Sequence, residues 1–400
     1  MDHYDAIIVG AGPAGGQCAR ELALRGKTVL LIDRAKDFLE NNYSSGGGPL
    51  QMMEEFAIPS STVGTYWNRL AISSTSTQAN WEADVAFGPV LDFDKLRAFL
   101  AEETVKQGGE VRLSCSYQSH ALSNGFVQVR LKDLATQEIF PVKTKVLVDA
   151  TGSERKVLLK NAYDKNQAMA VTGIEYHLNV SPSAYAQFAQ SMHFFLGHQW
   201  MPQGYGWIFA MAPNRLKVGV IRYFQNKQYL PYDPSYRHYL DKLLALCGES
   251  EEGDIIDKHG KTIYYTKGQK EKRHAGPVIA IGDAISSINP LGCEGIRHAL
   301  VSGRMGGEEI IRFLNQDIVN FEDYDKRMSH YFGRKWLYSK YIIEHLVTSR
   351  KDSFVDRVVN SFRLLSNQDI IDIIFHYRFF PFFKAYLTYP FHRLKNRYLK

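Results

Sequence analysis

A short apolar strand pattern, followed at once by a glycine-rich turn and a helical pattern, opens this chain and constrains its fold most strongly. Residues 4–9 are apolar and mostly β-branched, glycines stand at Gly10, Gly12 and Gly15, and residues 17–23 are typical of a helix. In a unit of this kind the first glycine permits the tight turn, the second lets phosphates approach the backbone, and the third lets helix and strand pack closely. The N–H groups of the helix N-terminus then face the anion.

A second strand pattern supports a nucleotide site. Residues 28–32 form another apolar run that ends at Asp33, followed by Arg34. An acid about 20 residues beyond such a glycine turn is the expected partner of a ribose hydroxyl. The sequence therefore predicts a nucleotide-binding unit, and the alternative is an ordinary βαβ unit with a glycine-rich turn.

Composition narrows the class of protein. The 400 residues are 45% hydrophobic and 22% charged, which suits one large globular domain or two to three smaller ones. Mean hydropathy is −0.27 and no long uncharged apolar run occurs, so we expect no spanning helix. The first strand starts at residue 4, so we expect no cleavable signal peptide. The four cysteines form no CxxC pair, which favours a reducing, cytoplasmic compartment without a metal site or disulfides.

The rest of the chain alternates between helical and strand patterns. Periodicity and glycine punctuation place helices and strands along most of its length. The predicted helices cover residues 49–56, 93–107, 236–246 and 293–314, and the chain beyond 314 is helical and aromatic. The predicted strands cover residues 110–115, 126–131, 145–148, 171–179, 193–196, 206–212, 216–223 and 277–281, with β structure within 66–85.

Three distant stretches together resemble the FAD-binding stretches of the flavoprotein hydroxylase superfamily and, more closely, those of the geranylgeranyl reductase family. They are the N-terminal turn, the segment 148–152 (VDATG) and the segment 282–296 (GDAISSINPLGCEGI). The resemblance covers roughly residues 4–310 and implies FAD as cofactor. It places Asp283 at the ribityl chain and the loop 290–295 near the isoalloxazine. The next helix then points its N-terminus at the part of the flavin where negative charge collects on reduction.

The resemblance also implies a fold and a set of cofactor residues. The fold class is α/β, with a Rossmann-type FAD-binding domain, an inserted and mainly antiparallel β-sheet that forms the substrate domain, and a helical C-terminal region. The expected domains are residues 1–65, 90–170 and 275–315 for FAD, 66–89 and 171–274 for the substrate sheet, and 316–400 for the helical region. The cofactor-binding residues that we expect are Gly10, Gly12, Pro13, Ala14, Gly15, Asp33, Arg34, Gly152, Gly282, Asp283, Pro290, Gly292, Gly295 and Ile296.

Four residues are candidates for catalysis: Ser45, Gly46, Gly47 and Cys293. Ser45-Gly46-Gly47-Gly48 looks like a motif in which the family carries cysteine before the glycines. A serine lacks the acidity of a thiol, so proton delivery by this residue is in doubt, and Ser45 either touches the active site or only orders the loop. Cys293 lies at the start of a predicted helix, where the helix N-terminus lowers a thiol pKa. The alternative for Cys293 is a small buried filler.

An aromatic strand is the second mark of the family. Reductases of this group carry an aromatic-x-Trp-x-Phe segment followed by proline, and the segment 205–209 (YGWIF) matches it, with Ala210 in place of the proline. Alternation along a strand puts Tyr205, Trp207 and Phe209 on one face. We therefore expect an apolar wall for a hydrocarbon chain, and the alternative is an ordinary sheet core.

The C-terminal segment is aromatic and basic. Residues 375–400 contain many aromatic residues and two prolines, which we expect to break it, and no acidic residue follows Asp372. The cations of this segment are Arg378, Lys384, Arg393, Lys395, Arg397 and Lys400. Such a composition suits the headgroup layer of an anionic membrane, and the alternative is a cap packed on the catalytic domain. No groove-binding motif accompanies it, so nucleic acid is not an expected partner.

These features favour one function and leave others open. We expect an FAD-dependent reductase of carbon–carbon double bonds in a lipid-soluble prenyl or isoprenoid chain, with hydride from reduced flavin N5, at a membrane surface. No second complete GxGxxG occurs, so the electron donor is NADPH that docks transiently or a ferredoxin-like protein. The alternatives are a flavin monooxygenase or cyclase acting on a quinone, aromatic or carotenoid-like substrate, and a non-catalytic flavin- or lipid-binding assembly factor. His177, His193, His198 and His298 lack metal-ligand spacing and are expected to be structural.

Overall fold

Two large β-sheets and a set of helices make up the part of the chain that the computed structural model describes. That part is residues 2–40, 42, 44–159, 168–224, 234–248, 254–266, 271–347 and 351–398. The strands are β1 (His3–Val9), β2 (Val29–Ile32), β3 (Val63–Trp67), β4 (Arg69–Ser73), β5 (Gln78–Glu82), β6 (Gly88–Leu91), β7 (Glu110–Arg112), β8 (Cys115–Ser123), β9 (Phe126–Asp133), β10 (Ile139–Asp149), β11 (Ala168–Asn179), β12 (Ser191–Leu196), β13 (Gly204–Met211), β14 (Arg215–Phe224), β15 (Ile255–Thr266), β16 (His274–Ala275) and β17 (Val278–Ala280). The helices are α1 (Pro13–Leu24), α2 (Gln51–Glu55), α3 (Phe93–Lys106), α4 (Pro182–Phe188), α5 (Tyr236–Leu246), α6 (Ile296–Leu314), α7 (Glu322–Ile342), α8 (Asp352–Phe362), α9 (Asn367–His376) and α10 (Phe380–Tyr398).

The first sheet is parallel at its centre and carries the glycine turn. Its strand order is β16-β17-β10-β1-β2-β7, with β9 paired antiparallel to β10 and β8 paired antiparallel to β9. Ile8 on β1 pairs with Leu31 on β2 and with Val148 on β10, and all three side chains are buried. Because β1, β10 and β17 run parallel, their carboxyl ends meet at one edge. That edge carries the turns at Gly10, 150–152 and 282–285.

Helix α1 packs unusually close to the backbone around it. A Cβ on Gly15 would lie 1.9 Å from the carbonyl oxygen of Gly10, and a Cβ on Gly10 would lie 2.3 Å from that of Ala150. On α6, a Cβ on Gly303 would lie 2.3 Å from the carbonyl oxygen of Ala14. Gly10 also has a φ of +109°, in the region that favours glycine. Glycines therefore let β1, β10 and α6 close around the start of α1.

The second sheet is mainly antiparallel and has the strand order β15-β11-β14-β13-β12-β4-β5. Only the β12–β4 contact in this order is parallel. Strand β13 is buried on both sides. Tyr205, Trp207 and Phe209 share one face with the main core, and Ile208 and Ala210 pack with α5 on the other. The predicted alternation is thus present, whereas the assignment of this sheet as a substrate domain with the boundaries given above stays a prediction.

The C-terminal region is helical, and one expectation about it is wrong. The two prolines do not break the helix of this segment, because α10 contains Pro381 near its start and runs through Pro390. Pro381 lies in the first turn of α10, where a missing N–H leaves no intrahelical hydrogen bond unmade. The side chains of Arg393, Lys395, Arg397 and Lys400 lie outside the described part of the structure. Within the described residues, every helix is too short or too polar to cross a bilayer.

Replacement of Gly15 by alanine tests the close packing of α1. The new Cβ would collide with backbone at Gly10, which cannot move without shifting β1, so we expect Gly15→Ala to lower the free energy of unfolding by about 2 kcal/mol or more. The adjacent Gly16→Ala is the matched control. Its Cβ would meet the side chain of Leu100 at 2.8 Å, and alanine gains about 1 kcal/mol of helix propensity over glycine. Urea unfolding of the flavin-free variants measures the free energy of unfolding of each. Equal values for Gly15→Ala and Gly16→Ala would contradict the packing argument.

Candidate functional site

A cavity of about 430 Å³ lies where the carboxyl edge of the first sheet meets the second sheet. It is formed by segments that are far apart in sequence and that the sequence analysis had singled out. The predicted residues that line it are Gly10, Gly12, Pro13, Asp33, Arg34, Ser45, Gly46, Gly47, Gly152, Tyr205, Trp207, Phe209, Asp283, Gly292, Cys293, Gly295 and Ile296.

Four predicted cofactor residues do not line the cavity: Ala14, Gly15, Gly282 and Pro290. Ala14 and Gly15 instead provide the close backbone contacts of α1. A Cβ on Gly282 would lie 2.7 Å from the Cβ of Ala14, and the backbone N–H of Gly282 donates to the hydroxyl of Ser302 on α6 (2.7 Å). The carbonyl of Pro290 accepts a hydrogen bond from the Tyr223 hydroxyl (2.9 Å). These residues support the cavity wall from behind.

Glycines leave open space at one end of the cavity. A Cβ on Gly12, Gly152 or Gly292 would meet no other atom within 4 Å. Gly12 is the residue before α1 and has a φ of −76°, which any residue can adopt. A side chain there would extend into the cavity, so the missing Cβ atom leaves room for a ligand against the first turn of α1. The N–H groups of that turn have no intrahelical acceptors and favour an anion.

Asp33 is fixed at the same end. One carboxylate oxygen accepts the N–H of Ala11 (2.8 Å) and the other that of Ala35 (2.9 Å). The glycine turn therefore orients the carboxylate, whose remaining lone pairs can accept from a ribose. Arg34 pairs with Glu154 at 2.8 Å on the rim of the cavity. The carboxylate of Asp149, by contrast, accepts hydrogen bonds from the backbone N–H groups of Thr151, Val157 and Leu158. These bonds hold the local backbone and leave the carboxylate less able to bind a ligand.

Asp283 lies in the cavity wall in a 3-10 turn. Burial raises the pKa of its carboxyl above the ordinary value, and Lys261 and a hydrogen bond from Ser287 (3.2 Å) only partly offset that effect. A buried acid with a raised pKa needs polar partners, and the hydroxyls of a ribityl chain would supply them. The position therefore fits the role that the resemblance implies.

The Ser45–Gly47 loop is held close to β6. Gly46 has a φ of +81°, and a Cβ on it would lie 2.4 Å from the carbonyl oxygen of Leu91. The buried Lys217 donates from Nζ to the carbonyl of Ser44 (2.8 Å) and also lies 3.5 Å from that of Ser45. The absence of a side chain at Gly46 thus lets the backbone of this loop lie directly against β6.

Cys293 precedes α6, which begins at Ile296 and not at residue 293 as predicted. Its φ of +53° belongs to the left-handed region that favours glycine. Its thiol lies 3.3 Å from the hydroxyl of Tyr223 and 3.5 Å from that of Tyr265. Burial raises the thiol pKa despite these tyrosines, so the expected lowering by a helix N-terminus is wrong. The thiol is therefore protonated at neutral pH.

The aromatic face of β13 forms the opposite wall of the cavity. Charged side chains that were not predicted from the sequence lie beside it. The indole Nε1 of Trp207 donates to Oε2 of Glu175 (2.7 Å), and Oε1 of Glu175 lies 3.3 Å from Nε2 of His259. Nδ1 of His259 lies 2.9 Å from Asp257, whose side chain is exposed. Glu175 could have been identified from the sequence, because it is an acidic residue within an apolar strand pattern. His259 carries no comparable signal, because its partner is distant in sequence.

Glu175, His259 and Lys217 form a cluster in which each group favours the ionised form of a neighbour. Burial opposes ionisation of Glu175, but the hydrogen bond from His259 and the charge of Lys217 outweigh burial and lower the carboxyl pKa. Burial also opposes protonation of His259, but Glu175 and then Asp257 outweigh it and raise the imidazole pKa above its usual value. Burial lowers the pKa of Lys217, and Glu175 partly restores it. A histidine and a carboxylate that each favour the charged form of the other thus line the cavity.

A buried polar network joins the C-terminal region to this site. Glu294 lines the cavity and pairs with Arg297 (2.6 Å), whose guanidinium also donates to the carbonyl of Phe375 (2.6 Å). The Tyr377 hydroxyl contacts both Glu294 and Nε2 of His298. Although burial opposes ionisation, Arg297 and His298 hold the pKa of Glu294 far below its usual range. His298 is buried within this network, and its structural role stays a prediction.

A second, apolar cavity of about 140 Å³ adjoins the first. The two share Phe194, Tyr205, Gly292 and Ile374 in their walls. The far wall of the second cavity consists of aliphatic and aromatic side chains from α8, α9 and α10, among them Val358, Ile373 and Phe382. Apolar wall residues therefore extend from the aromatic wall of the first cavity to the second cavity in the C-terminal region.

The residues of the main cavity fit FAD. The open glycines, the N-terminus of α1 and the fixed Asp33 suit an adenosine diphosphate, and Asp283 suits the ribityl chain. Gly295 and Ile296 place the N-terminus of α6 in the wall, where its positive end suits a reduced flavin ring. Among the described residues, no group of three or more His, Cys, Asp or Glu side chains is arranged to hold a metal ion.

Comparison with known proteins agrees with this geometry. The FAD binding domain family model matches residues 3–302. A digeranylgeranylglycerophospholipid reductase of Haloferax volcanii is 28% identical over 327 residues, which are 78% of this chain and 77% of the relative. A geranylgeranyl bacteriochlorophyll reductase-like protein from Thermoplasma acidophilum superposes with a TM-score of 0.83 at 21% identity over 96% of both chains. The halogenase PltM, solved with phloroglucinol and FAD, superposes with a TM-score of 0.67 at 16% identity over 90% of this chain and 80% of its own.

The chain belongs to the FAD binding domain family. Its relatives place it more narrowly, as a geranylgeranyl reductase-like, FAD-dependent oxidoreductase, which confirms the resemblance found in the sequence. The predicted fold class and the predicted cofactor FAD are confirmed with it. The roles of the individual site residues stay predictions.

Replacement of Gly12 by valine tests where the cofactor lies. The side chain would extend into open space, so we expect the flavin-free variant to unfold at the same urea concentration as the unmodified protein. FAD would have to share that space with two methyl groups, and we expect its affinity to fall by about a hundredfold. Equilibrium dialysis against FAD measures the affinity. Unchanged FAD affinity would contradict the placement of the cofactor against α1.

Proposed function

We propose that this protein reduces carbon–carbon double bonds in a prenyl or similar isoprenoid chain. The observation that carries the proposal is that the Tyr205–Trp207–Phe209 wall of the main cavity adjoins a second, apolar cavity, with Phe194 and Tyr205 in the walls of both. Burial of a hydrocarbon chain there is worth about 0.8 kcal/mol per methylene, so a long chain is favoured without any polar contact along its length. The named relatives include a reductase of a digeranylgeranyl lipid, which supports the same class of substrate.

Saturation of an alkene requires a hydride at one carbon and a proton at the other. The chemistry that FAD supplies when bound and reduced is the hydride, donated from N5 with both electrons. The protein has to orient the chain, exclude water and provide the proton. Trp207 is held by its hydrogen bond to Glu175, so the aromatic wall is rigid as well as apolar. Phe194 packs against Phe209 with ring centroids 5.2 Å apart and extends that wall toward the second cavity.

We propose His259 and Glu175 as the route of the proton. Asp257 is exposed to solvent, His259 lies between Asp257 and Glu175, and both His259 and Glu175 line the cavity. A proton held on the imidazole can pass to Glu175 and from its carboxyl to the alkene carbon that does not take the hydride, which leaves Glu175 ionised again. A proton from solvent then reaches His259 through Asp257. Ser45 stands where the family motif has cysteine, and the relay would supply a proton that does not depend on that residue.

The electron donor is proposed as NADPH docking transiently or a ferredoxin-like protein. The main support is that the chain carries one complete GxGxxG, at Gly10–Gly15, and that the cavity uses it for FAD. Arg34, Lys156 and Lys261 on the cavity rim would attract either a phosphate-bearing nucleotide or an acidic protein surface.

Anaerobic incubation of the dithionite-reduced holoprotein with geranylgeranyl compounds tests the proposed reaction. We expect mass spectrometry to show two added hydrogens for each double bond reduced. No such gain across a panel of prenyl alcohols, diphosphates and lipids would contradict the reductase. Rapid formation of a hydroperoxyflavin on adding substrate and oxygen would favour a monooxygenase instead, and isomerised substrate of unchanged mass would favour a cyclase.

Chain length provides the control for that assay. In Val358→Trp the indole would fill part of the second cavity, so we expect about tenfold slower reduction of geranylgeranyl chains. A short geranyl chain fits the main cavity and should react at an unchanged rate. Equal slowing of both lengths would instead indicate general damage.

The pH dependence of reduction tests the proton route. His259 is protonated below its raised pKa, so we expect the rate to be high at low pH and to fall as pH rises through that pKa. In His259→Gln we expect the fall in rate with rising pH to disappear. We also expect the rate at neutral pH to be about a hundredfold lower. The matched control is His177→Gln. Burial first, and then the charges of Lys217 and Arg215, lower the pKa of His177 to about 4, so its removal should leave the profile in place. A pH profile of His259→Gln that matches the unmodified protein would contradict the route.

A further inference from the structure

Helix α10 presents a stripe of large apolar side chains to solvent. Phe380, Phe383, Leu387 and Phe391 are 77%, 46%, 68% and 72% exposed. Their spacing of three, four and four residues places them on one side of the helix. Single exposed apolar residues are ordinary, but a contiguous patch of this kind marks an interaction surface.

The opposite side of α10 packs against the rest of the chain. Phe379, Phe382 and Ala385 are buried in the main core, and Phe382 packs against Phe362 of α8 with ring centroids 5.8 Å apart. The helix therefore already has one apolar face buried against α8 and α9. The stripe is a second apolar face, and it stays exposed in the part of the chain that the structure describes.

The charge around the stripe indicates what covers it. Lys384 is exposed next to Phe383, and the exposed Arg378 stands just before the helix. Asp372 is the last acidic residue of the sequence and pairs with Arg378 at 3.2 Å. An aromatic stripe bordered by cations, with no carboxylate after Asp372, is complementary to the interface of an anionic lipid bilayer. There the rings enter the headgroup layer and the cations meet phosphates.

The same helix also borders the second, apolar cavity. Phe379 and Phe382, on its buried side, line that cavity. The width of a single helix, about 10 Å with side chains, therefore separates a surface suited to lipid from a cavity suited to a hydrocarbon chain.

We propose that α10 is a membrane-docking helix whose Phe380–Phe383–Leu387–Phe391 stripe inserts into the headgroup layer of an anionic bilayer. Docking through this face holds the apolar cavity next to the lipid from which a prenyl substrate would come. This proposal does not depend on catalysis, so it can be tested separately from the proposed reductase activity.

Flotation of the FAD-loaded protein with lipid vesicles tests the docking surface. We expect binding to vesicles of phosphatidylcholine with phosphatidylglycerol, and weaker binding to phosphatidylcholine alone. The double variant Phe383→Ser/Leu387→Ser should lose at least tenfold in affinity, because each buried side chain is worth about 1.5 kcal/mol or more. The matched control is Leu122→Ser/Val319→Ser, which replaces two apolar residues elsewhere that are 62% and 88% exposed, and it should bind normally.

A second variant keeps the test decisive if the double variant folds poorly. Lys384→Glu replaces a cation by an anion beside the stripe, and we expect it to weaken binding to anionic vesicles by about thirtyfold, because the charge changes by two at roughly 1 kcal/mol per charge. Retained FAD and unchanged reduction of a detergent-dispersed substrate show that each variant is folded. Absence of binding to either vesicle, or equal binding by both stripe variants and the unmodified protein, would overturn the proposal. So would sedimentation as a dimer that the stripe variants convert to monomer, because the stripe would then be covered by a second copy.

Discussion

The structure depends on backbone contacts around the start of α1 that only glycine permits. Gly15 lies against the carbonyl of Gly10, Gly10 against that of Ala150, and Gly303 of α6 against that of Ala14. These contacts bring the turns after β1, β10 and β17 to one edge, so that the N-termini of α1 and α6 face one cavity. Side chains cannot produce this arrangement, because a single methyl group at any of the three positions would meet backbone. The flavin site is in this sense a consequence of how closely the secondary structures approach.

The cavity combines two environments that a reductase of hydrocarbon chains needs. Polar groups fixed by backbone, such as Asp33 and Asp283, suit the cofactor, whereas the aromatic face of β13 adjoins an apolar cavity. Glu175 and His259 are the exception on the apolar side. Their charges remain there because each is the hydrogen-bonded counterion of the other and because Trp207 and Lys217 stabilise the carboxylate. A buried ion pair contributes little net stability, so this pair is not needed to hold the fold together.

Local sequence predicted the parts of this site that depend on chain geometry. The glycine turns, the strand ending at Asp33 and the alternation of Tyr205, Trp207 and Phe209 all follow from spacing, and family resemblance joined them into one cofactor site. Sequence failed where the outcome depends on tertiary contacts. Burial in the tertiary structure raises the pKa of Cys293 although the tyrosines that contact its thiol lower it. His259 matters only through Glu175 on another strand, and α10 continues through Pro390. Burial and distant partners decide these cases, and a single sequence does not contain them.

A crystal structure of the protein reconstituted with FAD and soaked with a geranylgeranyl compound tests the central claim most directly. The account requires the diphosphate at the N-terminus of α1, the ribityl chain beside Asp283, the flavin ring between Ile296 and the β13 wall, and the prenyl chain extending past Phe194 toward Val358. FAD bound elsewhere on the chain would contradict the whole account. A correctly placed flavin with the prenyl chain excluded from the second cavity would contradict its substrate half.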